Sequence, residues 1–344
     1  MKKRYVLLSV VSALFIWIFS SGHHSAPESV YPIIEDVLDK EIENLHIGDT
    51  ASVSCNGFDI WYEVIGDLNQ PTMMLFCGLG TSATIWPNYL IDSLRKEGFT
   101  IIRFDHREIG HSSWDKDWGF FNAYTLDDMA SDANCLSNHL GLESLHIVGI
   151  SMGGMVAQEF AIDYPEKVKS LTIINSTAHL FSKELTTFSP YIAKGIGRFA
   201  LTKGWDNKHL DKRIDAQLSL FTLLKRGDEM PEQTVEWVSK TLKFDHETGR
   251  IRNPKVKYHQ IVAMWKSGSR EAALAKLEIP TLIFHGVRDP LIEFEHGERL
   301  FEIMPNAQFY PIEQMTHIPT KEEFTFMGDR ISCFVEGLYS LSNQ

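Results

Sequence analysis

Residues 145–161, Leu-His-Ile-Val-Gly-Ile-Ser-Met-Gly-Gly-Met-Val-Ala-Gln-Glu-Phe-Ala, set one serine between two runs of different periodicity. Leu145, Ile147, Val148 and Ile150 form a short apolar run rich in β-branched residues, as expected of a strand buried on both faces of a parallel sheet. From Met152 on, Met155, Val156, Glu159 and Phe160 recur at spacings of three and four, with no proline before Pro165, so a helix follows. The chain therefore turns from strand to helix on Ser151. So sharp a bend forces strained φ/ψ and brings backbone close, which is tolerable only where flanking side chains are missing. Gly149 and Gly153 supply those gaps, and Gly154 allows close packing of helix on strand. A serine at the apex of G-x-S-x-G lifts its hydroxyl above the sheet edge at a helix N-terminus, which makes Ser151 a candidate nucleophile.

A bare G-x-S-x-G arises by chance in roughly one chain of this length in ten. The serine therefore needs partners, because a hydroxyl is a poor nucleophile until a base takes its proton. The order expected on such a scaffold is serine, acid, histidine. Downstream, Ile-Pro-Thr-Leu-Ile-Phe-His-Gly-Val-Arg-Asp-Pro reads as a buried strand from Thr281 to His285 and a turn holding Asp289. A second strand, Ala307 to Ile312, leads to a loop that presents His317. Between Asp289 and His317 there is room for one helix and one strand, the βα spacing of a parallel sheet. Alone, Asp289 before Pro290 is an ordinary turn former, and His317 is one of 14 histidines. Their joint placement after consecutive strands makes them the candidate acid and base. His139, His179, His259 and His296 show no partner pattern and are expected on surfaces or capping helices.

Two backbone amides should face the charge that develops on an attacked carbonyl. One is that of Met152, directly after the nucleophile. The other is sought in the loop after the strand Thr72–Gly78, where Gly78 and Gly80 flank Leu79, so the Leu79 amide is the expected donor. A further loop carries Asp105, Arg107, Gly110 and Ser112. These are expected to hold it by hydrogen bonds and ion pairs rather than to react.

Together these stretches resemble the α/β-hydrolase superfamily. Asp-His-Arg-Glu-Ile-Gly-His-Ser-Ser (105–113), the Ser151 elbow, the Asp289 strand and turn, and Met-Thr-His-Ile-Pro (315–319) are similar to the esterase branch that includes the aclacinomycin methylesterases. The resemblance runs over roughly residues 50–340. It implies a mostly parallel eight-stranded sheet flanked by helices, an inserted helical cap, and a Ser151-Asp289-His317 triad. The chain departs from that pattern at Cys77 and Gly78, where many relatives have His-Gly or Gly-Gly. It also has Thr316 where many carry glycine before the histidine, and Glu108 in place of a common glycine. No departure removes a reacting group.

Composition fits one α/β domain with an insertion: 344 residues, 44% hydrophobic and 23% charged, suffice for a large single core. A formal net charge of −12 without a basic patch argues against nucleic-acid binding. Residues 178–279 have helical apolar spacing and are read as the cap between core segments 51–177 and 280–344, its leucines and aromatics roofing the serine. Residues 1–26 have a basic start (Lys2, Lys3, Arg4), an apolar run from Tyr5 to Phe19 and small residues after it. They read as a signal peptide or an uncleaved membrane anchor, hence a periplasmic or secreted protein, tethered in the second case. Residues 27–50 are expected to link, with a solvated helix over 35–45. Cys55, Cys77, Cys135 and Cys333 form no C-x-x-C, so no metal site is indicated; one disulfide can form, its pairing open, with Cys77 the expected core residue.

The expected activity is hydrolysis of small-molecule carboxylic esters through an acyl-enzyme, with no cofactor and no metal. Carbon–carbon bond hydrolysis with the same triad, and ligand binding without turnover, are the alternatives. Oligomeric state is left open.

Overall fold

The computed structural model describes residues 25–186, 189–202, 209–250 and 252–342. The expected leader lies almost wholly outside them. Strands β1 (Asp49–Cys55) and β2 (Phe58–Ile65) form a hairpin in which Cys55 faces Phe58 across a two-residue turn. Asn56 and Gly57 both have positive φ, at 52° and 87°. An Asn-Gly pair suits such a turn because its twist matches that of the strands. Then come β3 (Thr72–Phe76), α2 (Asn88–Lys96), β4 (Thr100–Phe104), α3 (Leu126–His139), β5 (Leu145–Ile150), α4 (Met152–Asp163) and β6 (Val168–Ile174), with α1 (Tyr31–Asp39) ahead of β1. Helices α5 (Pro190–Thr202), α6 (Leu210–Leu224), α7 (Glu232–Glu247), α8 (Val256–Ser267) and α9 (Glu271–Leu274) lie between β6 and β7 (Thr281–Gly286); α10 (Phe294–Ile303), β8 (Ala307–Ile312) and α11 (Lys321–Ser342) follow.

The strands make one eight-stranded sheet in the order β1-β2-β4-β3-β5-β6-β7-β8. β1, β2 and β4 pair antiparallel, and every pair from β4 to β8 is parallel. Every residue of β3, β4 and β7 is buried, as expected of mostly apolar strands covered on both faces, Arg103 of β4 and His285 of β7 included. Apolar cores lie on the two faces: one joins Phe76, Leu136 and Phe160, the other Leu75, Leu90 and Met327. Chain order reverses between β3 and β5, and the crevice outside the carboxyl ends of the strands at that point is where α/β sheets hold ligands.

The amino-terminal segment does not form a solvated helix over 35–45. Its helix, α1, ends at Asp39, and Val30 and Ile34 pack against Ile214, Leu218 and Val238 of α6 and α7. The buried Lys243 side chain closes the helix end by donating to the carbonyls of Val37 (3.1 Å), Leu38 (2.9 Å) and Lys40. Apolar positions on α1 thus bind it to the inserted helices.

Cys55 and Cys135 are disulfide-bonded, tying the end of β1 to α3, while Cys77 is buried and free, and Cys333 is exposed. The bridge closes a loop of 80 residues. Loop-closure entropy then gives it about 4 kcal/mol of stabilisation. Reduction, or the Cys55→Ser/Cys135→Ser variant, is expected to lower the unfolding free energy by that order in a denaturant titration. An unchanged midpoint would mean that the bridge adds nothing.

Candidate active site

Ser151 stands between β5 and α4 with φ 55° and ψ −124°, a conformation nearly reserved for glycine. Its surroundings show why glycines flank it. A Cβ on Gly149 would lie 2.4 Å from the Gly153 carbonyl oxygen, and one on Gly153 would lie 2.1 Å from that of Phe76. The elbow is therefore wedged between β3 and the first turn of α4. The Ser151 N–H donates to the Ile174 carbonyl (2.9 Å), and Ser176 Oγ donates to the Ser151 carbonyl (2.7 Å). Both sides of the strained residue are held from β6 and the loop after it.

The three residues expected from sequence meet here. His317 Nδ1 donates to Asp289 Oδ2 at 2.7 Å, which leaves Nε2 to accept from Ser151 Oγ at 3.0 Å. Asp289 is 1% exposed, and its other oxygen accepts the N–H groups of Leu291 (2.8 Å) and Ile292 (3.0 Å). Those bonds fix which carboxylate oxygen faces the histidine. The ring of His285, kept neutral by burial, lies behind this carboxylate, with Nε2 3.9 Å from Asp289 Oδ2.

Beside the serine, a Cβ on Gly78 would sit 3.5 Å from Ser151 Cβ, so the loop after β3 abuts the nucleophile. Leu79 and Ser151 line the same cavity. Met152 opens α4, and its N–H is among those a helix leaves without an internal partner. The peptide after Leu79 is gripped from α8 and the segment before it: Gly80 N–H donates to Gln260 Oε1 (2.8 Å), and Arg252 Nη1 donates to the Gly80 carbonyl (2.8 Å). Neither Gln260 nor Arg252 stood out in the sequence.

A third missed residue is Asn175. It is wholly buried just past β6 with φ 45°, a left-handed conformation that asparagine tolerates better than most residues. Its Nδ2 donates to the carbonyls of Thr316 (2.9 Å) and His317 (3.3 Å), and its Oδ1 accepts from Gly286 N–H (2.9 Å). One side chain thus ties the histidine loop to the ends of β6 and β7. Asn175→Ala is expected to lower kcat by roughly 10²-fold with KM little changed, because a histidine displaced by about 1 Å loses that much. Full kcat in the variant would show that the loop holds itself.

The Asp105 loop is a structural hub. Asp105 accepts from Ala83 N–H (2.8 Å), His111 N–H (3.0 Å) and Arg250 (2.6 Å), and Arg107 pairs with Asp132 at 2.7 Å. Gly110, with φ 58°, leaves no room for a Cβ, which would lie 2.0 Å from Asp105 Oδ2. Ser112 Oγ donates to the Asp105 carbonyl (2.7 Å). Two histidines expected on surfaces are instead buried. His259 stacks on Trp118 with ring centroids 3.8 Å apart and bonds Glu108 at 2.7 Å; His296 shares a 2.8 Å bond with Thr177. Each is accommodated because polar partners from distant parts of the chain meet its ring nitrogens.

The cavity over Ser151 has a volume of about 210 Å³ and is overwhelmingly apolar. Phe199, Leu220, Phe221 and Trp237 from the inserted helices form its roof, and Trp86 and Phe324 come from the core. Among the described residues, no group of histidines, cysteines and carboxylates is placed to hold a metal, and no helix is long and apolar enough to cross a membrane.

A mostly parallel sheet with a strained serine after its fifth strand defines an α/β-hydrolase scaffold. The chain belongs to that family: the alpha/beta hydrolase fold pattern matches residues 71–324. Rhodomycin D methylesterase DauP of Streptomyces sp. (strain C5) is 26% identical to it over 284 residues, covering 78% of this chain and 92% of the relative. The bifunctional esterase/perhydrolase DCH of Acinetobacter calcoaceticus is 25% identical over 284 residues, covering 80% and 96%. Among solved structures, an esterase from Exiguobacterium antarcticum superposes with a TM-score of 0.68 at 18% identity, covering 84% of this chain and all of the other. The expected resemblance to the methylesterase branch holds, and ester hydrolysis is the activity these relatives share.

Proposed function

We propose that this chain is a serine esterase that cleaves small-molecule carboxylic esters through an acyl-enzyme formed on Ser151. The observation that carries the reading is the continuous hydrogen-bonded line from Ser151 through His317 to Asp289 at the floor of an apolar cavity. His317 Nε2 takes the serine proton as Oγ attacks the ester carbonyl, and Asp289 holds the resulting imidazolium. The Leu79 and Met152 amides stabilise the oxyanion, each donor contributing about 3 kcal/mol to the barrier reduction. His317 then protonates the departing alkoxide, so the alcohol leaves. Water repeats the attack with His317 as base, releasing the acid and restoring Ser151. An apolar roof favours a hydrophobic acyl or alcohol part and excludes the water that would weaken these interactions.

Rapid mixing with a p-nitrophenyl ester is the test. A burst of p-nitrophenol equal to the enzyme concentration, with a mass increase of one acyl group on the peptide containing Ser151, is the expected result. Hydrolysis without acylated Ser151 would overturn the mechanism, and no hydrolysis by folded protein would overturn the activity.

Export from the cytoplasm is also proposed, with residues 1–26 acting as signal peptide or anchor. The basic start and the apolar run from Tyr5 to Phe19 support it, and so does Cys55–Cys135, since disulfides persist in oxidising compartments.

A further inference from the structure

Helix α8 departs from the usual pattern of a surface helix. His259, Val262 and Ala263 are buried, yet the opposite face carries Tyr258, Ile261 and Trp265, at positions i, i+3 and i+7, exposed to 52%, 42% and 56%. An outward face of a helix is ordinarily polar. The neighbouring loop continues the patch: Phe120 stacks on Trp265 with centroids 5.9 Å apart, and Phe121, 95% exposed, meets Phe120 edge-on at 5.7 Å. Lys266 Nζ fastens this loop by donating to the carbonyls of Phe121 and Ala123, both at 3.2 Å. A contiguous patch of exposed aromatics marks an interaction site.

Four observations say what covers it. The patch opens onto the Ser151 cavity, because Ile261 lines both. Its residue types, Trp, Tyr and Phe with lysines at the margin, are those that settle at the boundary between acyl chains and headgroups. Lys116 and Lys255 share a hollow with Tyr258 and Ile261, and Lys266 reaches the Phe121 carbonyl, in a chain whose net charge is −12; Asp115 and Asp117 are the acidic residues between 113 and 125. Phe121 also stands out from a loop tip, a shape suited to penetrating a soft surface rather than to matching a flat one.

We propose that the Phe120–Phe121 tip and the outward face of α8 dock on an anionic phospholipid bilayer, so that the Ser151 cavity receives esters held in the membrane. The surface stands by itself, whereas the delivery of substrate rests on the esterase reading. An ester lying at headgroup depth would enter past Ile261 without crossing bulk water, its acyl chain passing from lipid into the apolar cavity.

The test compares the full chain with its Phe121→Ser/Trp265→Ser variant, neither residue lining the cavity. Vesicles of phosphatidylcholine and phosphatidylglycerol at about 7:3, with a long-chain p-nitrophenyl ester dispersed in them, are the probe. Hydrogen exchange over residues 116–123 is expected to slow at least about five-fold on vesicle addition in the wild type but not in the variant. The variant should lose about ten-fold or more in turnover of the dispersed ester while hydrolysing a short soluble ester normally. Slowed exchange without hydrolysis of either ester would uphold the surface and remove the esterase reading. Protein that sediments with vesicles while residues 116–123 exchange freely would overturn the proposal, since other parts of the chain then hold it. Slowing that follows protein concentration without vesicles would also overturn it, by showing a second copy as the occupant. Equal turnover of the dispersed ester by both proteins would remove the delivery step.

Discussion

Ser151→Ala is expected to lower kcat for ester hydrolysis by about 10⁶-fold, to a residual rate set by binding and the oxyanion amides alone. Alanine keeps the Cβ and removes only Oγ, whose described bond is to His317 Nε2 at 3.0 Å. Folding should therefore be undisturbed, and the melting temperature of the variant should match that of the parent. The elbow offers an internal control. At φ 55° and ψ −124° any side chain strains the backbone, by about 1–3 kcal/mol. Ser151→Gly should thus be equally inactive but melt higher than Ser151→Ala, because glycine enters this conformation without the clash. Equal melting temperatures for the two variants would show that the elbow is not strained. A kcat near that of the parent in either would remove Ser151 from the reaction.

The sequence reveals this site where steric need is local. Gly149 and Gly153 are legible because a bend that tight admits no side chain, and the strand and helix around them carry their own periodicities. Asp289 and His317 follow from their place after successive strands. The residues that escaped notice all act across long sequence separations. Asn175 reaches Thr316 and His317 from 141 and 142 residues away, and nothing local distinguishes it from a turn asparagine. Glu108, read as a departure at a position where glycine is common, takes a left-handed φ of 69° and spends its carboxylate on Tyr124, Asn253 and His259. It therefore anchors α8 and the segment before it to the core, which explains both the odd residue and the buried histidine. The wholly buried Arg103–Glu63 pair, at 2.7 Å, and the pairing of Cys55 with Cys135 depend in the same way on which strands and helices become neighbours. Packing of α1 on α6 and α7 escaped for a related reason: an apolar stripe shows that a partner is needed but not which one.

Asp289→Asn should cost about 10⁴-fold in kcat, less than the serine change, and should act through the histidine. The geometry fixes how. Oδ1 accepts two backbone N–H groups, from Leu291 and Ile292, so an asparagine will turn its carbonyl oxygen toward them and its amide nitrogen toward His317. That NH₂ group can only donate. His317 Nδ1 must then accept, its proton moves to Nε2, and Nε2 can no longer receive the proton of Ser151. The reacting atoms stay in place while the base is lost, so KM should change little. Nitrogen chemical shifts of the His317 ring provide the decisive reading, with the proton on Nδ1 in the parent and on Nε2 in the variant. A variant with the parent's tautomer and a 10⁴-fold deficit would place the loss elsewhere, in the charge that Asp289 sets against the imidazolium. A variant with switched tautomer and normal kcat would show that His317 is not the base.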